Sequence, residues 1–95
     1  VARDRYANLI LQAMGDLAED PHRLGVRAEP GIDPEVGFYH LRHSRNRGAK
    51  RLGRVQKPRH VIVFRIASDG ILDILGLIPD VVPAEVAVTR FVGSI

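Results

Sequence analysis

The chain of 95 residues has no cysteine and no tryptophan, and only 5% of it is aromatic. Without cysteine it can build neither a disulfide framework nor a thiolate metal site, which fits a reducing compartment. Long apolar runs are missing as well. The longest, such as Ile74 to Ile78, fall far short of the ~20 residues that a membrane span needs. The opening VARDRYANL is charged and bears no signal-peptide pattern. From these absences the expectation is a soluble, cytoplasmic protein. One further absence is local. Between Arg42 and Arg59 there is no Asp or Glu, although the stretch holds eight of the chain's fourteen Lys and Arg.

What is present belongs to an ordinary globular domain: 45% apolar residues, 26% charged and a formal charge of +3. A single domain of this length buries only about 60–68% of the surface its unfolded chain exposes, so the core is small. From Arg3 to about Glu19, Tyr6, Leu9, Ile10, Ala13 and Leu17 recur at the spacing of an amphipathic helix with one apolar stripe. Asp20-Pro21 ends it, because the residue before proline is pushed out of the helical region. Pro21 to Gly37, with three prolines and three glycines, reads as a loop.

The rest reads as sheet. Phe38 to His43 is a predicted strand, and His60 to Ala67 (HVIVFRIA) and Ile71 to Ile78 (ILDILGLI) are rich in β-branched and aromatic residues. Ser68-Asp69-Gly70 joins the last two as a tight hairpin, with Gly70 able to take a positive φ. Runs apolar on both faces belong in the middle of a sheet, and the amphipathic helix is the cover expected for it. Pro83-Ala84-Glu85 opens a short terminal helix carrying Val86 and Phe91. The order helix, strand, hairpin and tail gives an α+β class: an antiparallel sheet packed against the N-terminal helix.

The basic segment thus leaves one strand at Arg42 and re-enters the sheet after Pro58. Arg42, Arg45, Arg47, Lys50, Arg51, Arg54, Lys57 and Arg59 repel one another there, a cost the fold alone gives no reason to bear. A solvated loop that discourages edge-to-edge aggregation is the plain explanation. An acidic partner is the sharper one: nucleic acid, an acidic protein surface, or a protein holding DNA. Other candidate sites are weaker. His40, His43 and His60 invite a metal reading, but residues three apart on a strand face opposite sides. Arg65 and Asp73 are expected to form a structural cross-strand pair. Tyr39 and Phe64 read as core, and Gly48 and Gly53 lack the strand-to-helix setting of a phosphate-binding loop. No cofactor is expected.

HLRHSR at His40 to Arg45, GRVQKPRHVIVFRI at Gly53 to Ile66 and DGILDILGLIPD at Asp69 to Asp80, in that order and spacing, resemble the C-terminal half of ParE-type toxins in the RelE/ParE superfamily of bacterial toxin–antitoxin modules. Upstream, DRYANLILQAMGDLAEDPHRLG is similar to the family's second helix and the turn after it. The resemblance implies a RelE/ParE-like sheet whose first strand and first helix are missing from this sequence. Val1 in place of Met agrees with that. It further implies an exposed sheet edge and an uncovered helix stripe at Tyr6, Leu9, Ile10 and Leu17, both covered by a partner chain.

The same resemblance implies a ParD-like antitoxin as that partner, in a hetero-oligomer, and DNA gyrase with its DNA as the target. RelE-like members instead cut messenger RNA on the ribosome with basic residues and commonly a C-terminal tyrosine. Here the last predicted strand holds no Lys, Arg, His or Tyr, and the tail offers only Arg90, so the gyrase-directed activity, with no catalysis of its own, is favoured. The basic segment is then the surface for target or antitoxin. Many ParE-like toxins carry an arginine in the last strand and a histidine at its end. Gly76 and Pro79 stand at those positions here, which leaves an attenuated toxin as an alternative beside the RNase. A generic basic nucleic-acid-binding module is the third reading.

Overall fold

A computed structural model of the chain describes residues 2–29, 33–45, 55 and 57–92. Helix α1 (Ala2–Glu19) leads into strand β1 (Val26–Glu29) and strand β2 (Asp33–His40), which ends in a single 3-10 turn (Leu41–His43). Strands β3 (His60–Ile66) and β4 (Leu72–Pro79) follow, then helix α2 (Ala84–Val92). The sheet is an antiparallel meander in the order β1-β2-β3-β4. Its α+β class is the one expected. None of the helices among the described residues is long and apolar enough to cross a membrane.

Side chains alternate across the sheet and sort into two cores. Leu9, Ala13 and Leu17 of α1 pack on Tyr39, Leu41, Ile62 and Phe64. On the opposite face, Ala87 and Val88 of α2 pack with Val36, Phe38, Val61, Val63 and Ile78. The sheet is therefore covered on both sides, and α2 supplies the second cover. Pro83, one residue before α2, suits a helix start: its carbonyl accepts from the N–H of Val86 and of Ala87.

Three sequence expectations change. The region read as a loop, Pro21 to Gly37, contains β1, a four-residue edge strand in register with Phe38 and Tyr39 of β2, and also the first five residues of β2 itself. The strand expected to run to His43 stops at His40 because the His40 ring caps the turn: its Nδ1 accepts the Arg42 N–H at 3.1 Å. The uncovered stripe on α1 does not exist at Leu9 and Leu17, which are buried in the chain's own core, while Tyr6 and Ile10 are half-buried against it. Like any open sheet, this one has two edges, β1 and β4, and Ile74 and Leu77 of β4 are exposed.

Candidate functional site

Antiparallel alternation brings the C-terminal end of β2, the start of β3 and the end of β4 to one end of the sheet. His40, Arg59 and Asp80 meet there. His40 Nδ1 is occupied as the acceptor for Arg42 N–H, so Nε2 carries the proton and donates to Asp80 Oδ2 at 3.0 Å. Arg59 Nε stands 3.6 Å from the same oxygen, and the Asp80 N–H donates to the Arg59 carbonyl at 2.9 Å. The hydrogen bond from His40, with the Arg59 charge beside it, holds the Asp80 carboxyl below the usual carboxylate range. Both ring nitrogens of His40 are thus engaged within the chain.

Beside this pair lies a cleft of about 220 Å³ lined by Gly25, Arg27, Phe38, His40, Arg42, His43, Val61 and Asp80. Arg27 reaches it from β1, and Arg42 and His43 from the turn. His43 is placed by an unusual backbone. Gly25 has φ +101°, and a Cβ on it would fall 2.6 Å from the imidazole ring, so only glycine lets the ring lie so close. Burial of that ring face, and then the neighbouring Arg42 charge, lower the His43 pKa from its ordinary value, with smaller contributions from His40 and Arg23. The imidazole is neutral at pH 7.

A second arrangement fastens the other side of the same end. The Arg59 N–H donates to the Tyr6 hydroxyl oxygen at 3.0 Å, which leaves the phenol proton for His60 Nδ1 at 2.6 Å. Tyr6 thus joins α1 to the point where the basic segment returns to the sheet. The turn itself is tied down from within. Ser44 Oγ donates to Asp16 Oδ2 at 2.6 Å and accepts from the Tyr39 hydroxyl at 2.7 Å, while Arg23 stands 3.3 Å from the same carboxylate oxygen.

Of the basic residues singled out by sequence, Arg42 and Arg45 sit at the departure of the segment and Lys57 and Arg59 at its return. The structure brings these two pairs to one end of the sheet. Arg47, Lys50, Arg51 and Arg54 lie outside the described residues. Arg65 and Asp73 face each other in register, and Tyr39 and Phe64 are buried as expected. Among the described residues no three His, Asp or Glu converge as a metal site. Gly76 has a local reason: the ring of Phe91 from α2 lies where its Cβ would be.

Sequence reasoning missed Arg27, Gly25 and Asp80. For Asp80 a signal existed, since strand ends alternate in a meander and IPD closes the last strand. Arg27 offered none, because β1 is a strand only by virtue of its partner. No family model, curated protein or solved structure matches the chain.

Proposed function

We propose that this chain is the toxin subunit of a ParE-type toxin–antitoxin pair, acting on DNA gyrase with its bound DNA and neutralised by a ParD-like antitoxin. The observation that carries the reading is the shared cationic end: Arg42 and Arg45 depart from it, Lys57 and Arg59 return to it, and Arg27 joins them from β1. Cations gathered at one end of the sheet favour an acidic antitoxin tail or DNA held by a protein there. Competition between the two for one surface would neutralise the toxin, and a tail that folds as it binds suits such exchange. Leu9 and Leu17 belong to the core, so the antitoxin meets the basic end and not the helix stripe.

The test is supercoiling and cleavage-complex formation by purified gyrase, with the full chain alone and with its antitoxin. Inhibition that the antitoxin reverses supports the proposal. Folded protein that leaves both gyrase reactions unchanged refutes it. A second reading has one observation in its favour: a neutral imidazole, His43, stands in a cleft beside Arg27 and Arg42, the pairing that a ribosome-dependent RNase needs for proton transfer and phosphate charge. Messenger RNA cleavage on translating ribosomes, abolished in His43→Ala, would establish it.

A further inference from the structure

We infer that the outer edge of β4 is the interface of a two-fold homodimer, in which β4 of one chain pairs antiparallel with β4 of a second copy. The two edges of the sheet are guarded differently. Strand β1 has only four residues and carries Arg27 and Glu29, the short, charged build that keeps an edge from recruiting a neighbour. Strand β4 has eight residues, LDILGLIP, with Asp73 as its one charge. Among the described residues it pairs only with β3, so alternate backbone groups along its other side have no strand to bond.

The occupant follows from a bulge. Val63 pairs with Gly76 but Phe64 pairs with Ile74, so Leu75 is an extra residue in β4. Residues paired in register share a face of the sheet. Ile74 and Leu77 therefore lie with Phe64 and Ile62 on the α1 side. Leu75 and Gly76 both lie on the other side: Leu75 packs against the α2 core, and the ring of Phe91 from α2 stands over Gly76. From Leu72 to Pro79 the faces thus run α1, α2, α1, α2, α2, α1, α2, α1. That order reads the same in both directions. A regularly alternating strand stays in phase with it only by leaving one residue of β4 out of the ladder, as β3 does. A second β4, antiparallel and centred between Leu75 and Gly76, matches it without a gap. Ile74 of each copy then faces Leu77 of the other, twice by symmetry.

Exposure and charge agree with this register. Ile74 and Leu77 are 37% and 39% exposed, because the buried stripe of α1 covers residues of β2, its turn and β3. Pairing buries the two side chains against each other. Asp73 lies in register with Arg65 of its own chain. In the two-fold pair it stands opposite Ile78 of the other copy, so the two Asp73 are separated along the strands by roughly 17 Å, well beyond the ~8 Å screening length of physiological salt. An acidic tail would instead bring carboxylates to a strand with no Lys, Arg or His, so the partner proposed above has no claim on this edge. One strand and two exposed side chains from each copy make an interface at the small end of the range, below ~1,200 Å². The dimer is therefore reversible and concentration-dependent.

The test is sedimentation equilibrium of the full chain from micromolar to millimolar concentration, with neither gyrase nor antitoxin present, so its outcome is separate from that of the proposed function. The mass is expected to rise from one chain to two, and the outward amides of β4 should exchange with solvent more slowly as it does. Ile74→Lys and Leu77→Glu, both at exposed positions, should each weaken the dimer roughly tenfold, since symmetry alters two cross-strand pairs at once. Mixed together, the two variants should associate again, because the introduced charges then face each other across the ladder. A parent chain that keeps the mass of one copy at millimolar concentration overturns the dimer, whether or not the variants fold. Single variants that associate as tightly as the parent, or a mixture of folded variants that stays monomeric, overturn the pairing of β4 with itself.

Discussion

Burying a carboxylate on the sheet side of a helix costs several kcal/mol unless its oxygens are met. Asp16, 1% exposed, meets donors from two further parts of the chain: Ser44 after the turn and Arg23 before β1, with Gln12 of its own helix donating to Oδ1 at 2.8 Å. Asp16→Ala should therefore cost about 3–5 kcal/mol, as for removing one partner of a buried ion pair. Ser44→Ala, which breaks the Tyr39–Ser44–Asp16 relay, should cost about 1–3 kcal/mol. Urea unfolding midpoints measure both, and an Asp16→Ala chain as stable as the parent would show the carboxylate to be dispensable. The sequence shows Asp16 as a polar intruder next to Leu17 on the apolar stripe. It does not show the partner, because Ser44 lies 28 residues away and reaches Asp16 only once the turn has formed.

The titrating groups of the cleft shift stability in one direction. Folded His43 takes a proton less readily than an unfolded histidine at ~6.5, so below that pH the unfolded chain binds more protons and stability falls. Asp80, held below the usual range, contributes fully above ~3.9 and loses its contribution as pH falls through its own lower value. Unfolding midpoints measured from pH 7 to pH 5 should fall, and His43→Gln should flatten that decline. A slope unchanged by His43→Gln would assign it elsewhere.

At the scale of elements, two glycines let aromatic rings lie directly on the sheet. A Cβ at Gly37 would be 2.4 Å from the Phe64 ring, and one at Gly76 would be 2.3 Å from the Phe91 ring. The two sites differ in how far the ring can yield. Phe64 is closed in on all sides at 2% exposure, whereas Phe91 is half-buried on a terminal helix. Gly37→Ala should therefore cost about 1–3 kcal/mol by overpacking, and Gly76→Ala less, with α2 displaced instead. Thermal unfolding of the two variants compares them, and the reverse order would mean that α2 is the more rigid cover. Helix α1 was legible from its apolar period, and strands β3 and β4 from their runs of β-branched and aromatic residues. Strand β1 was not: VRAE is too short for its alternation to stand out among the surrounding prolines and glycines, and it is fixed by pairing with β2 and by Val26 against the core. The early end of β2 was equally hidden, since nothing in HLRH distinguishes strand from turn until His40 turns back on the Arg42 N–H.

At the scale of the whole molecule, the fold gathers at one end residues far apart in the chain: His40 and Asp80 are 40 positions apart and Tyr6 and His60 are 54. The cations of the basic segment were plain in the sequence, but the meeting of Arg42 with Arg27 and His43 in one cleft required the order of the strands. An acidic partner bound at this end should lose affinity as salt rises, and for DNA the slope of log K against log salt should approach about −0.9 per phosphate neutralised. Affinity measured from low to high salt checks this, and a flat response would mean that charge does not lead the interface.

The connection that carries those cations spans sixteen residues between His43 and His60, and both of its ends are fastened, one through Ser44 to Asp16 and the other through Arg59 to Tyr6. Closing a loop between fixed ends becomes harder only with the logarithm of its length, so doubling this one would cost about 0.6 kcal/mol. Insertions and deletions there are thus nearly neutral for folding. If that connection meets a partner, as proposed, its length and charge can vary at little cost to the framework that anchors its ends.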